Sequence, residues 1–94
     1  MLDENASPIV DKTLIEDVTV LSASENLGEI TINKETFIGA VQDPGNYTFT
    51  YSGANWIYQS NIILLANYGI SYSGVAASGN SIVVNYNKHA HLNF

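Results

Sequence analysis

The chain of 94 residues contains no cysteine, so no disulfide braces it and its redox compartment cannot be read from thiols. Basic residues are scarce: three lysines, no arginine, and a net charge of −6. Without a Lys/Arg cluster there is nothing to neutralise a row of phosphates, and nucleic acid is excluded as an expected partner. Long apolar runs are missing too. The longest, Ile62 to Ala66, is far too short to span a bilayer. The N-terminal MLDENASP lacks the basic and apolar regions of a signal peptide. A protein made in the cytoplasm, neither exported nor membrane-bound, is the expectation.

A further absence is more informative. From Pro44 to Asn87 there is no Asp, Glu, Lys or Arg, and all nine acidic residues lie at or before Asp43. That removes most acid–base groups from the part best able to fold. No Gly-x-Ser-x-Gly elbow and no thiol nucleophile are present. The neighbouring carboxylates, Asp3/Glu4 and Glu16/Asp17, sit in a polar front segment where such pairs are solvated. The glycines are scattered, so no phosphate-cradling loop forms. A non-enzymatic protein without a cofactor is expected.

What is present reads as β-structure. Tyr47-Thr-Phe-Thr-Tyr51 alternates strictly, with Tyr47, Phe49 and Tyr51 on one face. Ser52-Gly53-Ala54-Asn55 is a hairpin loop and Trp56–Tyr58 the return strand. Short strand signals recur at Val18–Val20, Ile30–Ile32, Ile62–Leu65, Ile70–Ser73 and Ser81–Tyr86. One helix is predicted over Lys34–Gln42, capped by Asn33, with Phe37, Ala40 and Val41 on one face; Asp43-Pro44-Gly45-Asn46 ends it. The predicted fold is mainly β: a small Ig-like, β-sandwich or barrel-like domain of five to seven short strands with one short helix. An extended N-terminal arm precedes it. The predicted division is an acidic arm at 1–29 with one or two strands, a β-rich domain at 30–88 and a tail at 89–94.

A chain this short buries only about 60–65% of its unfolded surface, so docking or oligomerisation is a common support for such a core. Ile9, Val10, Leu14 and Ile15 are the arm's apolar residues and the candidate partner-binding positions. In an extended tail, His89 and His91 point to one side; as a metal site the pair is incomplete in a monomer, whereas three chains around a threefold axis would supply six nitrogens. The aromatics Tyr47, Phe49, Tyr51, Trp56, Tyr58, Tyr68, Tyr72 and Tyr86 read first as core and cross-strand pairs. Their second reading is a glycan-stacking platform with Asn partners.

Ile32-Asn-Lys-Glu-Thr-Phe37, Pro44-Gly-Asn-Tyr-Thr-Phe-Thr-Tyr51, Trp56, Leu65-Ala-Asn-Tyr-Gly-Ile70 and Gly79-Asn-Ser-Ile-Val-Val-Asn-Tyr86 form a set. As a set they resemble a small β-rich domain of structural proteins in tailed phages of Gram-positive bacteria. The resemblance covers about 55 residues; Asn80 stands where that domain often has Asp. It implies a non-enzymatic virion component and not which one. With only an acidic arm ahead of the domain, the expectation is a capsid-associated auxiliary (decoration or head-fibre) protein binding the major capsid protein or another virion protein, as a homo-oligomer, a trimer. The alternative it implies is a tail, baseplate or fibre component that binds glycan on the host surface.

Overall fold

The computed structural model describes the backbone of residues 11–93 and the side chains of residues 15–89. In chain order the elements are β1 (Asp11–Ala23), a 3-10 turn (Glu25–Leu27), β2 (Ile30–Ile32), α1 (Lys34–Val41), β3 (Gly45–Ser52), β4 (Asn55–Tyr58) and β5 (Asn61–Ile63). A second 3-10 turn (Leu65–Tyr68), β6 (Ile70–Tyr72) and β7 (Ser81–Asn93) complete it. The protein is mainly β, with seven strands in two antiparallel sheets and one α-helix among the described residues. The larger sheet has the order β1-β7-β3-β4-β5, and β2 pairs with β6 in the smaller.

Local chemistry accounts for most of these elements. Asn33 Oδ1 accepts the Thr36 amide at 3.0 Å, capping the first turn of α1 as its sequence position requires. The helix stops at Val41 because Gln42 turns to φ 66°, one residue before the predicted end. Gly53, at φ 64°, takes the left-handed conformation that closes the two-residue β3–β4 hairpin between Ser52 and Asn55. Ile62–Leu65, read as one strand from its apolar run, divides. Asn61–Ile63 pairs with β4, while Leu65 begins a 3-10 turn that tucks its side chain into the core.

The core is a single cluster of Leu27, Phe37, Phe49, Trp56, Leu65, Ile70, Ile82, Val84 and Tyr86. Phe49, Ile82, Val84 and Tyr86 come from alternate positions of β3 and β7, the inward face of the large sheet. Phe37 from α1 meets Phe49 edge-on at 6.3 Å between ring centres. Leu27, from the first 3-10 turn, is as deeply buried as any of these. From Asp11 onward, the segment expected as an arm is therefore a strand paired with the main sheet, followed by a turn that contributes to the core. Its residues 1–10 lie outside the described part.

Two close approaches hold the layers together. A Cβ on Gly74 would lie 2.1 Å from the Asn26 carbonyl oxygen, and one on Gly69 would lie 2.8 Å from that of Asn33. At the first, the Gly74 amide donates to the Leu27 carbonyl (2.7 Å) and the Val75 amide to that of Asn26 (3.1 Å). Asn80 pins the same loop, its Oδ1 accepting from Asn26 Nδ2 (2.5 Å) and from the Ala77 amide (2.8 Å). A neutral amide thus serves as the local acceptor at this position.

Candidate functional site

The chain extends 62 Å along its longest axis against 24 and 16 Å across it. Its radius of gyration of 17.9 Å exceeds the roughly 12–13 Å of a compact domain this size. The elongation comes from β1 and β7. Their register runs unbroken from Asp11↔Asn93 to Val20↔Val84, then slips by one residue at Leu21, a β-bulge, before Ser22↔Val83 and Ala23↔Ile82. β3, the other neighbour of β7, reaches only as far as Tyr86. Beyond it, Asn87–Asn93 pairs with β1 alone. The result is a two-stranded ribbon of seven residue pairs, about 20 Å long at about 3.3 Å per residue. Among the described residues, both edges of this ribbon are unpaired. Such edges present rows of backbone N–H and C=O groups and are ready templates for another strand.

Tyr86 marks the point where the ribbon leaves the body. Its ring is buried with Val84 and Ile82, and its hydroxyl donates to Glu16 Oε2 at 2.5 Å across the ladder. That hydrogen bond, reinforced by burial and by the carboxylate's charge, pushes the Tyr86 phenol up to about 12. Next along the ladder, Glu16 faces Lys88. Opposite charges on paired strands favour this register, since a one-residue slip would bring each against a different partner. Asp17, the next residue of β1, is exposed on the other face of the strand.

The sequence-predicted site residues fall on and beyond this ribbon. Ile15 is half-buried and pairs with His89; Leu14 pairs with Ala90. Ile9 and Val10 lie outside the described residues. His89 is exposed, with its Nδ1 3.5 Å from Asn87 Nδ2, and His91 pairs with Thr13. The two histidine positions are thus two apart on one strand. Among the described residues no group of three or more His, Cys, Asp or Glu side chains converges as a metal site.

Eight aromatic residues form two ring networks. Phe37, Phe49, Tyr47, Tyr58 and Tyr68 pack with centroids 5.2 to 6.3 Å apart, and in the second Trp56 lies between Tyr51 and Tyr72. Burial raises the Tyr47 and Tyr58 phenols; Asp43 adds to the first, and Tyr47 and Tyr68 to the second. Glycan stacking requires an outward aromatic beside Asn. Trp56 is buried, Tyr58 and Tyr72 are half-buried in these networks, and Tyr68 lines an open groove of about 350 Å³ next to Asn67. The remaining lining residues are Ala40, Ile62, Ile63 and Leu64, all apolar. This groove was not legible in the sequence, because it forms between the edge strand β5, the second 3-10 turn and α1.

No described helix is long and apolar enough to cross a membrane. Comparisons with protein-family models, with curated proteins and with solved structures return no match.

Proposed function

We propose that this chain is a non-enzymatic structural component of a phage virion, a capsid-associated auxiliary protein that docks on the assembled shell through its β1/β7 ribbon. One observation carries the docking mode: a ribbon of seven residue pairs beyond the body, with a bare edge on each side among the described residues. A two-stranded ribbon is marginal in water by itself, so a neighbouring strand or surface would stabilise it. The phage setting rests on the resemblance of Thr31–Tyr86 to virion domains.

Docking by strand addition draws affinity from main-chain hydrogen bonds and specificity from alternate side chains. Ile15 and His89 on one side of the ladder, and Glu16 and Lys88 on the other, supply that alternation. Their charges also guard the free edges against indiscriminate pairing. Because the ribbon projects, a bound copy keeps its body clear of the shell. Bound copies favour the assembled shell by mass action, which is a mechanical role.

The test is co-sedimentation with shells of the phage that encodes the chain, comparing the full chain with one trimmed to residues 18–86. The trim removes all seven ribbon pairs, Asp11–Asp17 from β1 and Asn87–Asn93 from β7, and none of the buried core. The full chain should pellet with shells and the trimmed chain, still folded by circular dichroism, should not. Equal binding by both would refute docking through the ribbon.

A further inference from the structure

We infer that the open edge of β5, with the groove beside it, is a contact surface between two copies of this chain. On its inner side β5 pairs with β4 (Trp56↔Ile63, Ile57↔Ile62, Tyr58↔Asn61), and on its outer side no described strand follows. Ile62 and Leu64 stand 68% and 67% exposed along that edge. The adjoining groove, lined by Ala40, Ile63, Asn67 and Tyr68 together with these two, has no charged wall. Proteins guard sheet edges with lysine, proline, bulges or inward charges. This edge is short, three residues, but carries none of those four devices, lying in a stretch with no charge from 44 to 87 and no proline after Pro44.

A chain this short commonly relies on oligomerisation for its core, and the charge distribution selects this edge for a second copy. Each copy carries −6, with every carboxylate side chain at or before Asp43. Approach of two copies through β1 would bring Glu16 and Asp17 together, and approach through the first 3-10 turn would do the same for Glu25 and Glu29. At the β5 edge two neighbouring, largely exposed apolar side chains, Ile62 on the strand and Leu64 just past its end, flank an outer side with no described partner and no charge. Leu21 and Val75, the other large exposed apolar residues, do not match it: Leu21 lies on the acidic strand and Val75 in a loop with no edge.

An uncharged strand is also self-complementary. A twofold axis at Ile62 sets it against its own twin and places Asn61 of one copy opposite Ile63 of the other, an isologous antiparallel pair. Two five-stranded sheets then run on as one. This contact is separate from the ribbon, so a failure of shell docking leaves it standing.

Sedimentation equilibrium of the full chain from micromolar to millimolar concentration tests it. The expected mass is twice that of the 10.2 kDa chain. Ile62→Lys and Leu64→Lys should each weaken dimerisation by at least about tenfold, because a lysine would be buried unpaired in the closed edge. Across the twofold axis Ile62→Lys also sets two ammonium groups against each other, so the uncharged Ile62→Gln, which buries a polar group without that repulsion, should weaken the dimer as well. Both sites are mostly exposed in one copy, so the variants should retain the wild-type circular dichroism. Val75→Lys should leave the dimer intact, and added salt, which screens the repulsion between copies, should not dissociate it. A single chain mass at all concentrations, a mass of three chains, or equal disruption by Val75→Lys would overturn the inference.

Discussion

Replacing Leu27 with alanine tests whether the acidic front of the chain belongs to the folded body. Leu27 is 0% exposed and packs in the same cluster as Phe37, Phe49 and Ile82. Leu→Ala at a buried site costs about 2–5 kcal/mol, more where the surroundings cannot close over the cavity. Here they are held. The Leu27 carbonyl accepts from the Gly74 amide (2.7 Å), its amide donates to the Ser24 carbonyl (3.0 Å), and the Ser73 amide donates to the Glu29 carbonyl (3.1 Å). With Gly74 pressed against Asn26 as well, the turn has little room to collapse inward. The upper half of the range applies, about 3–5 kcal/mol. A domain this size has about 5–14 kcal/mol in total. At about 4–8 °C per kcal/mol, Tm should fall by about 12 °C or more, readable by calorimetry or thermal circular dichroism. A change below about 1 kcal/mol would refute the reasoning, since an exposed leucine on a separable arm costs no more than that.

Two glycines should respond with opposite signs to alanine. Gly74→Ala drives a methyl into the Asn26 backbone and should destabilise by about 1–3 kcal/mol, whereas Gly39→Ala, in α1 with nothing within 4 Å, should stabilise by about 0.5–1 kcal/mol; chemical denaturation measures both. Tyr86 should ionise near pH 12, against 10.0 for a free phenol, when followed by ultraviolet absorbance. Its folded pKa is raised, so the stabilisation it supplies is complete below pH 10 and is lost as pH rises through about 12. Glu16→Gln, which removes the charged acceptor, should bring that step back toward 10.0; an unmoved step would show that the Glu16 contact is not its cause. Asn33→Ala should cost about 1 kcal/mol through loss of the α1 cap, measured by the same denaturation.

The parts legible in the sequence are those encoded by local chemistry. Strict alternation in Tyr47–Tyr51, the Gly53-Ala54 loop, the Asn33 cap and the Asp43-Pro44 stop each act within a few residues, and each corresponds to an observed element. The long ends of β1 and β7 were not legible. Lys88-His-Ala-His91 has no apolar alternation to mark a strand, and its extended form comes from pairing with residues more than 70 positions away. Leu27 was missed for a similar reason: a lone leucine in Glu25-Asn-Leu-Gly28 carries no period, and only the 73–75 loop closing over it makes it core. The uncharged stretch carries an expectation of protein contact without a place for it, because the apolar groove needs β5, α1 and the second 3-10 turn brought together. The Tyr86–Glu16 hydrogen bond likewise spans 70 residues and has no sequence signature.

Immunogold electron microscopy of phage particles, with antibody to this chain, tests the virion assignment most directly. A shell-docking auxiliary protein requires label distributed over the heads of intact particles. Label confined to the tail tip, or none on intact particles, would contradict it.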